Sequence, residues 1–324
     1  MTPRERAIRA LTLKPPAPGV VPAAELEFQL TWEKFRRRYH TREEYDAAQG
    51  AELARLVRED AELRVAVHRA YDLAFTILHA PPGRTPRETV ERMRRLIGAM
   101  RELSGDEFLM VAHGDATLAL PDGKRMWELS VRMVDDRENL LRELGERVER
   151  QLALGEQLVA AGVEAFALCA DYCYNTGPWC SPAMFAEFVT PFLKRLVEGY
   201  RSMGAYVIKH TDGNIMPILD QLLECRPHAL HSLDPQAGVD IAEVKRLCGD
   251  RVCLIGNVNC ALMQTGTEDE IVESARYALR HGMPGGGYIF STSNVAFAGL
   301  PLERYELIHR VRRKEGVYPA PTEA

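Results

Sequence analysis

The chain has 324 residues, enough to bury a large core without disulfides and a common length for an α/β barrel. Lys plus Arg number 41 against 46 Asp plus Glu, and the net charge of −5 offers no attractive field to nucleic acid or anionic lipid. Seven cysteines without a CxxC pair read as thiols in a reducing compartment, and no apolar run is long enough to cross a bilayer. With the polar start MTPRERAIRA, these features predict a cytoplasmic globular protein.

In chain order, residues 1–65 form a mostly helical N-terminal part and residues 66–324 the main barrel, with no linker or composition break to divide them. Thr41 is placed to cap a helix, and Glu44 three residues on completes a capping box. Eight β-like runs follow one another: GVVPAAELEF (19–28), DLAFTILH (72–79), EFLMVAH (107–113), EAFALCAD (164–171), AYVIKH (205–210), HALHSLD (228–234), RVCLIGN (251–257) and GYIFSTS (287–293). Helical patterns such as TVERMRRLIGAM and EDEIVESARYALRHG separate them. Near-continuous apolar strands between amphipathic helices mean a parallel sheet covered on both faces. Eight such units predict an α/β fold, a single (β/α)8 TIM barrel with an N-terminal helical extension.

The suspicious polar residues fall at or just after the C-terminal ends of these runs. They are Asp171, His210, Asp212, Asp234, Asn257, Asn259 and the stretch Ser291 to Asn294. Barrel enzymes keep their chemistry at that end, because the following loops converge there. In VIKHTDGN (207–214), Asp212-Gly213 suits a turn, and Asp212 could cap a helix starting near Asn214. Alternation along a strand also allows His210 and Asp212 to face the mouth together, as metal ligands or as an acid/base pair. A zinc site needs at least one more ligand, often a thiolate. Cys173 and Cys180 in CADYCYNTGPWCSP, and Cys260 in IGNVNCAL, are the nearby thiols, although unpaired cysteines are more often packing residues. Ser181 followed by Pro182 reads as a helix start. His113 and Asp115 in AHGDAT repeat the His-x-Asp spacing on an earlier strand and rank second, with His113 as a candidate substrate contact.

The runs SPAMFAEFVTPFLKRLVEGYRSMGAYVIKHTDGN, LIGNVNCALMQTGT and PGGGYIFSTSN resemble the uroporphyrinogen decarboxylase superfamily over roughly residues 105–315. That superfamily holds the decarboxylases of haem synthesis and zinc-dependent corrinoid methyltransferases. The resemblance implies a (β/α)8 barrel with its site at the C-terminal mouth. The decarboxylases carry an arginine-rich loop at the first strand for the carboxylates of the tetrapyrrole. Here VVPAAELEFQLTWEKF has Glu25 and Glu27 and no arginine before Arg36, so acidic side chains stand where bidentate guanidinium donors are needed. The histidine of their GHGI-like segment falls opposite Asn294.

The methyltransferase branch is nearer. Its zinc pattern resembles His-x-Cys after the fifth strand plus a cysteine after the eighth. His210 matches the first position, Asp212 replaces the first cysteine and Asn294 the second. The resemblance thus implies a methyltransferase of a corrinoid-dependent system, demethylating a small methylated substrate, with an O-methyl group suiting the oxygen-rich site, or transferring methyl from a methylcobamide protein to an acceptor. Zn²⁺ would be held by His210 and Asp212, with Cys260 or Cys173 as the thiol that could complete the site. Asp171, His210 and Asp212 are the catalytic candidates, and Asp234, Asn257 and Asn294 join His113 as substrate contacts. No DxHxxG run is present, so the corrinoid would arrive on a separate protein, and a homodimer is compatible with such a chain. A cofactor-free carboxy-lyase and an inactive barrel subunit of a corrinoid complex are the competing readings.

Overall fold

The computed structural model describes residues 1–79 and 83–320. Six strands form one parallel sheet in chain order: β3 (Val111–His113), β4 (Ala165–Leu168), β5 (Tyr206–His210), β6 (Ala229–His231), β7 (Cys253–Val258) and β8 (Tyr288–Thr292). Two extended segments, β1 (residues 22–28) and β2 (residues 73–78), close the ring through isolated parallel bridges rather than long ladders. Ala23 bridges to both Phe290 and Leu73, and Ile77 bridges to Val111. The main-chain bonds Ala24 N to Phe290 O (3.0 Å), Ala74 N to Ala23 O (2.7 Å) and Leu78 N to Val111 O (2.7 Å) run across the three joints, one at each. All eight expected units therefore enter one closed barrel.

Side-chain alternation divides the core into two layers. Residues at every second position, including Phe75, Ile77, Leu109, Val111, Ala165, Ala167, Ile208, Ala229, Ile255 and Ile289, pack together inside the ring. Their neighbours, including Met110, Ala112, Phe166, Leu168, Val207, Leu230, Leu254 and Phe290, join the larger cluster under the helices. Continuing the inner parity by one step along β3, β5, β6 and β8 reaches His113, His210, His231 and Ser291 at the C-terminal mouth. Strand alternation alone thus aims four polar side chains at one end of the ring.

The helices start where local chemistry allows. Thr41 caps Arg42–Ala47 in a capping box with Glu44, and Ser181 caps Pro182–Phe188 with Pro182 in the first turn. The expected boundary near residue 65 is not a structural division: β1 lies before it, and the helix Gly50–Tyr71 runs across it. Arg312, fully buried on the last long helix Leu302–Glu315, donates to Val21 O (2.9 Å) and Tyr71 O (3.0 Å) and pairs with Asp72 at 3.2 Å. It holds the first two segments of the ring where ladder bonds are few. Among the described residues, no helix is long and apolar enough to cross a membrane.

Candidate active site at the barrel mouth

β5 ends in His210, and the chain turns at once through Thr211, Asp212 and Gly213. Gly213 sits at φ +81°, and a Cβ there would lie 2.5 Å from Cys173 O and 2.6 Å from Tyr174 O. Only glycine lets the loop after β5 pass this close to the hairpin Cys173–Tyr174/Gly177–Pro178. That contact brings Asp171 to the loop: its Oδ1 accepts the Asp212 backbone N–H at 2.9 Å. From the other side Asn294, just beyond β8, donates its Nδ2 to Asp212 Oδ2 at 2.6 Å. Asp171, His210, Asp212 and Asn294 are therefore gathered as the sequence implied.

His210 is buried, and its two nitrogens have different tasks. Nδ1 lies 2.8 Å from Nδ1 of His231, its register partner on β6. Nε2 stands 3.7 Å from Asp171 Oδ1 and 3.8 Å from Asp212 Oδ1, too far for hydrogen bonds. Burial first, then the nearby charge of Lys209, lowers the His210 pKa to about 3. The imidazole is neutral at ordinary pH, so one member of the His210–His231 pair donates and the other accepts. When His210 is the donor at Nδ1, its Nε2 lone pair faces the two carboxylates. His231, likewise held neutral by burial, continues toward Ser291 Oγ at 3.5 Å.

Asp212 is the unusual carboxylate. Oδ1 is buried without a hydrogen-bond partner: the nearby Ser232 hydroxyl favours the charged carboxylate but donates to the Ser293 carbonyl. Burial, followed by the charge of Asp171, raises the Asp212 pKa to about 7. An orphaned carboxylate oxygen facing an imidazole whose other nitrogen is already fixed fits a metal ion. Oriented histidines and hydrogen-bonded carboxylates are the usual outer support of such sites. The candidate ligand atoms of Asp171, His210 and Asp212 all lie within 4.8 Å of one another. This donor set of one nitrogen and two oxygens suits a borderline to hard ion.

Other expected residues are placed differently. Cys260 shares a cavity of about 330 Å³ with Asp212, Asp234 and Asn294, but it is not in that ligand group, and burial raises its thiol pKa. Cys173 is likewise raised by burial, to about 12, so neither thiol is a ready thiolate. Asp234 lines the cavity while its carboxylate caps the short helix Pro235–Ala237 through Gln236 N at 2.9 Å. Asn257 is turned away: its amide donates to Leu233 O at 2.8 Å, and it lines a separate cavity beside Asp240 and Tyr277. Asp212 does not cap the following helix; Asn214 Oδ1 takes the Met216 N–H at 3.1 Å. His113 lies with Glu27 and His79 rather than with His210.

Three features lie outside the sequence reading. One is His231 within HALHSLD, although aligning strand ends places it level with His210. Another is Lys209, fully buried, which gives its Nζ to Asp115 Oδ2 at 3.1 Å and to Ala170 O at 2.8 Å, and lies 3.9 Å from the centre of the Tyr172 ring. The third is the state of Glu25, which is not the repelling charge its position suggested. It is buried, accepts from Thr292 Oγ1 at 2.7 Å, and burial raises its pKa to about 8, so it is neutral at pH 7. Glu27 alone keeps the acidic character, its pKa lowered to about 2 chiefly by the hydrogen bond from His79.

A closed (β/α)8 barrel with imidazole and carboxylates converging at its C-terminal mouth defines the class. The chain belongs to the uroporphyrinogen decarboxylase (URO-D) family, whose pattern matches residues 123–314. It is 26% identical over 208 residues to the methylcobamide:CoM methyltransferase MtaA of Methanosarcina barkeri, an alignment covering 63% of this chain and 58% of that relative. The match thus spans less than two thirds of the relative's length. A solved methyltransferase from Methanosarcina mazei superposes with a TM-score of 0.71 at 19% identity, over 97% of this chain and 99% of its own. A B12-independent methionine synthase from Shewanella sp. W3-18-1 gives a TM-score of 0.51 at 13% identity, over 83% and 89%. At these identities the two structures speak for the fold.

Proposed function

We propose that this chain is a methyltransferase of a corrinoid-dependent system, taking a methyl group from a small methylated substrate or passing one from a methylcobamide protein to an acceptor. The observation that carries the reading is the unpartnered Asp212 Oδ1 facing His210 Nε2 beside Asp171, at the positions where the resemblance puts a metal. The similarity to a methylcobamide:CoM methyltransferase supports the reaction class.

His210 Nε2, Asp212 Oδ1 and an oxygen of Asp171 would hold Zn²⁺. When bound, such an ion polarises an ether or hydroxyl oxygen, or lowers the pKa of a thiol acceptor. With His210 as the Nδ1 donor, the contact with His231 would hold its Nε2 free for the ion, and Asn294 fixes the rotamer of Asp212 by holding Oδ2. In the metal-free site Asp212, its pKa raised to about 7 by burial, would instead take the proton of a hydroxyl or thiol at Oδ1, the acid/base alternative to metal ligation. Asp234 and Asn294 line the cavity in which the small substrate would sit. The corrinoid partner would dock over this mouth, because the reacting methyl must reach it.

The test follows the methyl group. Purified protein loaded with Zn²⁺ is mixed with free methylcob(III)alamin and a thiol, and separately with cob(I)alamin and methyl ethers or methanol; the cobalamin spectrum reports transfer in either direction. Zn²⁺-dependent transfer lost in His210→Ala is the expected result. Absence of transfer in both directions, with uroporphyrinogen converted instead, would replace this reading by the carboxy-lyase.

A further inference from the structure

A second group of ligand atoms lies on the other side of the mouth, at the ends of β1, β2 and β3. His79 Nε2 is 3.2 Å from Glu27 Oε1, and the rings of His79 and His113 stand 4.8 Å apart, centre to centre. Ligand atoms of all three residues lie within 4.8 Å of one another. Gln29 Nε2 donates to Glu27 Oε2 at 2.8 Å, which fixes the carboxylate and leaves Oε1 to the imidazoles. The His113 ring makes no hydrogen bond among the described residues, so neither of its nitrogens is committed elsewhere. His79 and His113 continue the inner parity of adjacent strands, so their convergence follows from the barrel itself.

From this arrangement we propose a second metal site, formed by Glu27, His79 and His113, that takes a divalent first-row transition ion through two imidazole nitrogens and one carboxylate oxygen. Two histidines and a carboxylate on one side of an ion leave its remaining positions open, the pattern of catalytic rather than structural zinc and of non-haem iron. Two of the three, Glu27 and His79, line a cavity of about 560 Å³ together with Arg38, Arg42 and Arg64. Arg38 and Arg42 are engaged by Glu44 and Asp46, but Arg64 Nε is buried without a partner. The exogenous ligand that suits an open metal position beside this guanidinium is a small oxyanion such as a carboxylate.

The inference does not rest on the methyltransferase reading, and its test separates the two sites. Metal-stripped wild type, His113→Ala, Glu27→Gln and His210→Ala are titrated with Zn²⁺ by calorimetry, and with Co²⁺ followed by visible absorption. Wild type should take up two equivalents. His113→Ala and Glu27→Gln should each lose one while keeping the equivalent that His210→Ala removes. Both altered side chains are at the open mouth, and unchanged thermal melting in chelator confirms that each variant folds; Glu27→Gln, nearly isosteric, serves if His113→Ala melts early. Wild-type uptake that neither His113→Ala nor Glu27→Gln alters would overturn the second site. So would uptake that His210→Ala abolishes completely.

Discussion

Glu25→Gln tests the reversal of one expectation about the first strand. The carboxyl is 1% exposed, and burial outweighs the Thr292 and Ser291 hydroxyls that favour its charge, raising its pKa from 4.5 to about 8. In the unfolded chain the same group ionises near its ordinary value. Between the two values the folded state holds a proton that the unfolded state has released, so stability falls as pH rises through that window. The slope approaches about 1.4 kcal/mol per pH unit, and the whole window amounts to at most about 5 kcal/mol. The glutamine side chain cannot ionise, so the variant's pH dependence should lack this component. Urea unfolding of both proteins from about pH 5 to about pH 9 supplies the comparison. The stability difference should drift toward the variant by several kcal/mol as pH rises, whatever constant offset the amide introduces. Parallel stability curves across that range would refute the neutral, buried Glu25 and restore it as a charge at the mouth.

Asn294→Ala should weaken Zn²⁺ binding at the His210 site by roughly 10- to 100-fold, since it removes the bond that orients Asp212; calorimetry reads the change, and unaltered affinity would mean that Asp212 is held by something else. Lys209→Met leaves the Asp115 carboxylate buried without its cation and should cost about 3–5 kcal/mol in chemical denaturation. Adding Asp115→Asn should return part of that loss, and a double variant no more stable than Lys209→Met would deny the pair. Gly213→Ala combines φ +81° with contacts near 2.5 Å to the Cys173 and Tyr174 carbonyls. It should lower stability by at least about 1–3 kcal/mol and weaken Zn²⁺ uptake, because Asp171 and Asp212 then separate; a silent substitution would show that the hairpin moves freely.

The barrel was legible because its signal is repeated eight times: each β-like run lies in a stave of the ring, and the helix starts at Thr41 and Ser181 follow from short capping chemistry. The convergence of Asp171, His210, Asp212 and Asn294 was legible for the same reason, since strand ends share one face. What the sequence could not show was the use of each side chain once it arrived. Asn257 ends a strand as expected, yet its amide is consumed by Leu233 O. Asp212 stands where a helix cap would suit it, but Asn214 takes the Met216 N–H. Glu25 read as a charge because composition assigns charge by residue type, whereas burial decides whether that charge exists. His231 was recoverable: counting inner-parity positions from Ala229 reaches it directly, level with His210 across the β5–β6 register.

Asp212 and Asn294 stand where the resemblance places two cysteines, and under the proposed reading that exchange is chemically coherent. Their side-chain tips meet at 2.6 Å, so under the proposed reading the pair would present one oriented oxygen ligand where the resemblance places two sulfurs. A neutral imidazole with carboxylate oxygens makes a harder donor set than one containing thiolates, and a metal held there would favour oxygen-bearing substrates over a strongly activated thiol. The reverse exchange tests this logic. Because the two tips already meet, Asp212→Cys with Asn294→Cys should place both sulfurs within reach of an ion held by His210. Zn²⁺ affinity should then rise by at least about tenfold, since thiolate is the softer and stronger donor to this ion. Co²⁺ should acquire an intense sulfur-to-metal charge-transfer band absent from the wild type. The single Asn294→Cys variant, with Asp212 freed from its partner, should show lower affinity than the double variant. If the double variant gains neither affinity nor the band, positions 212 and 294 do not converge on a metal, and the assignment of His210 as its nitrogen ligand fails with them.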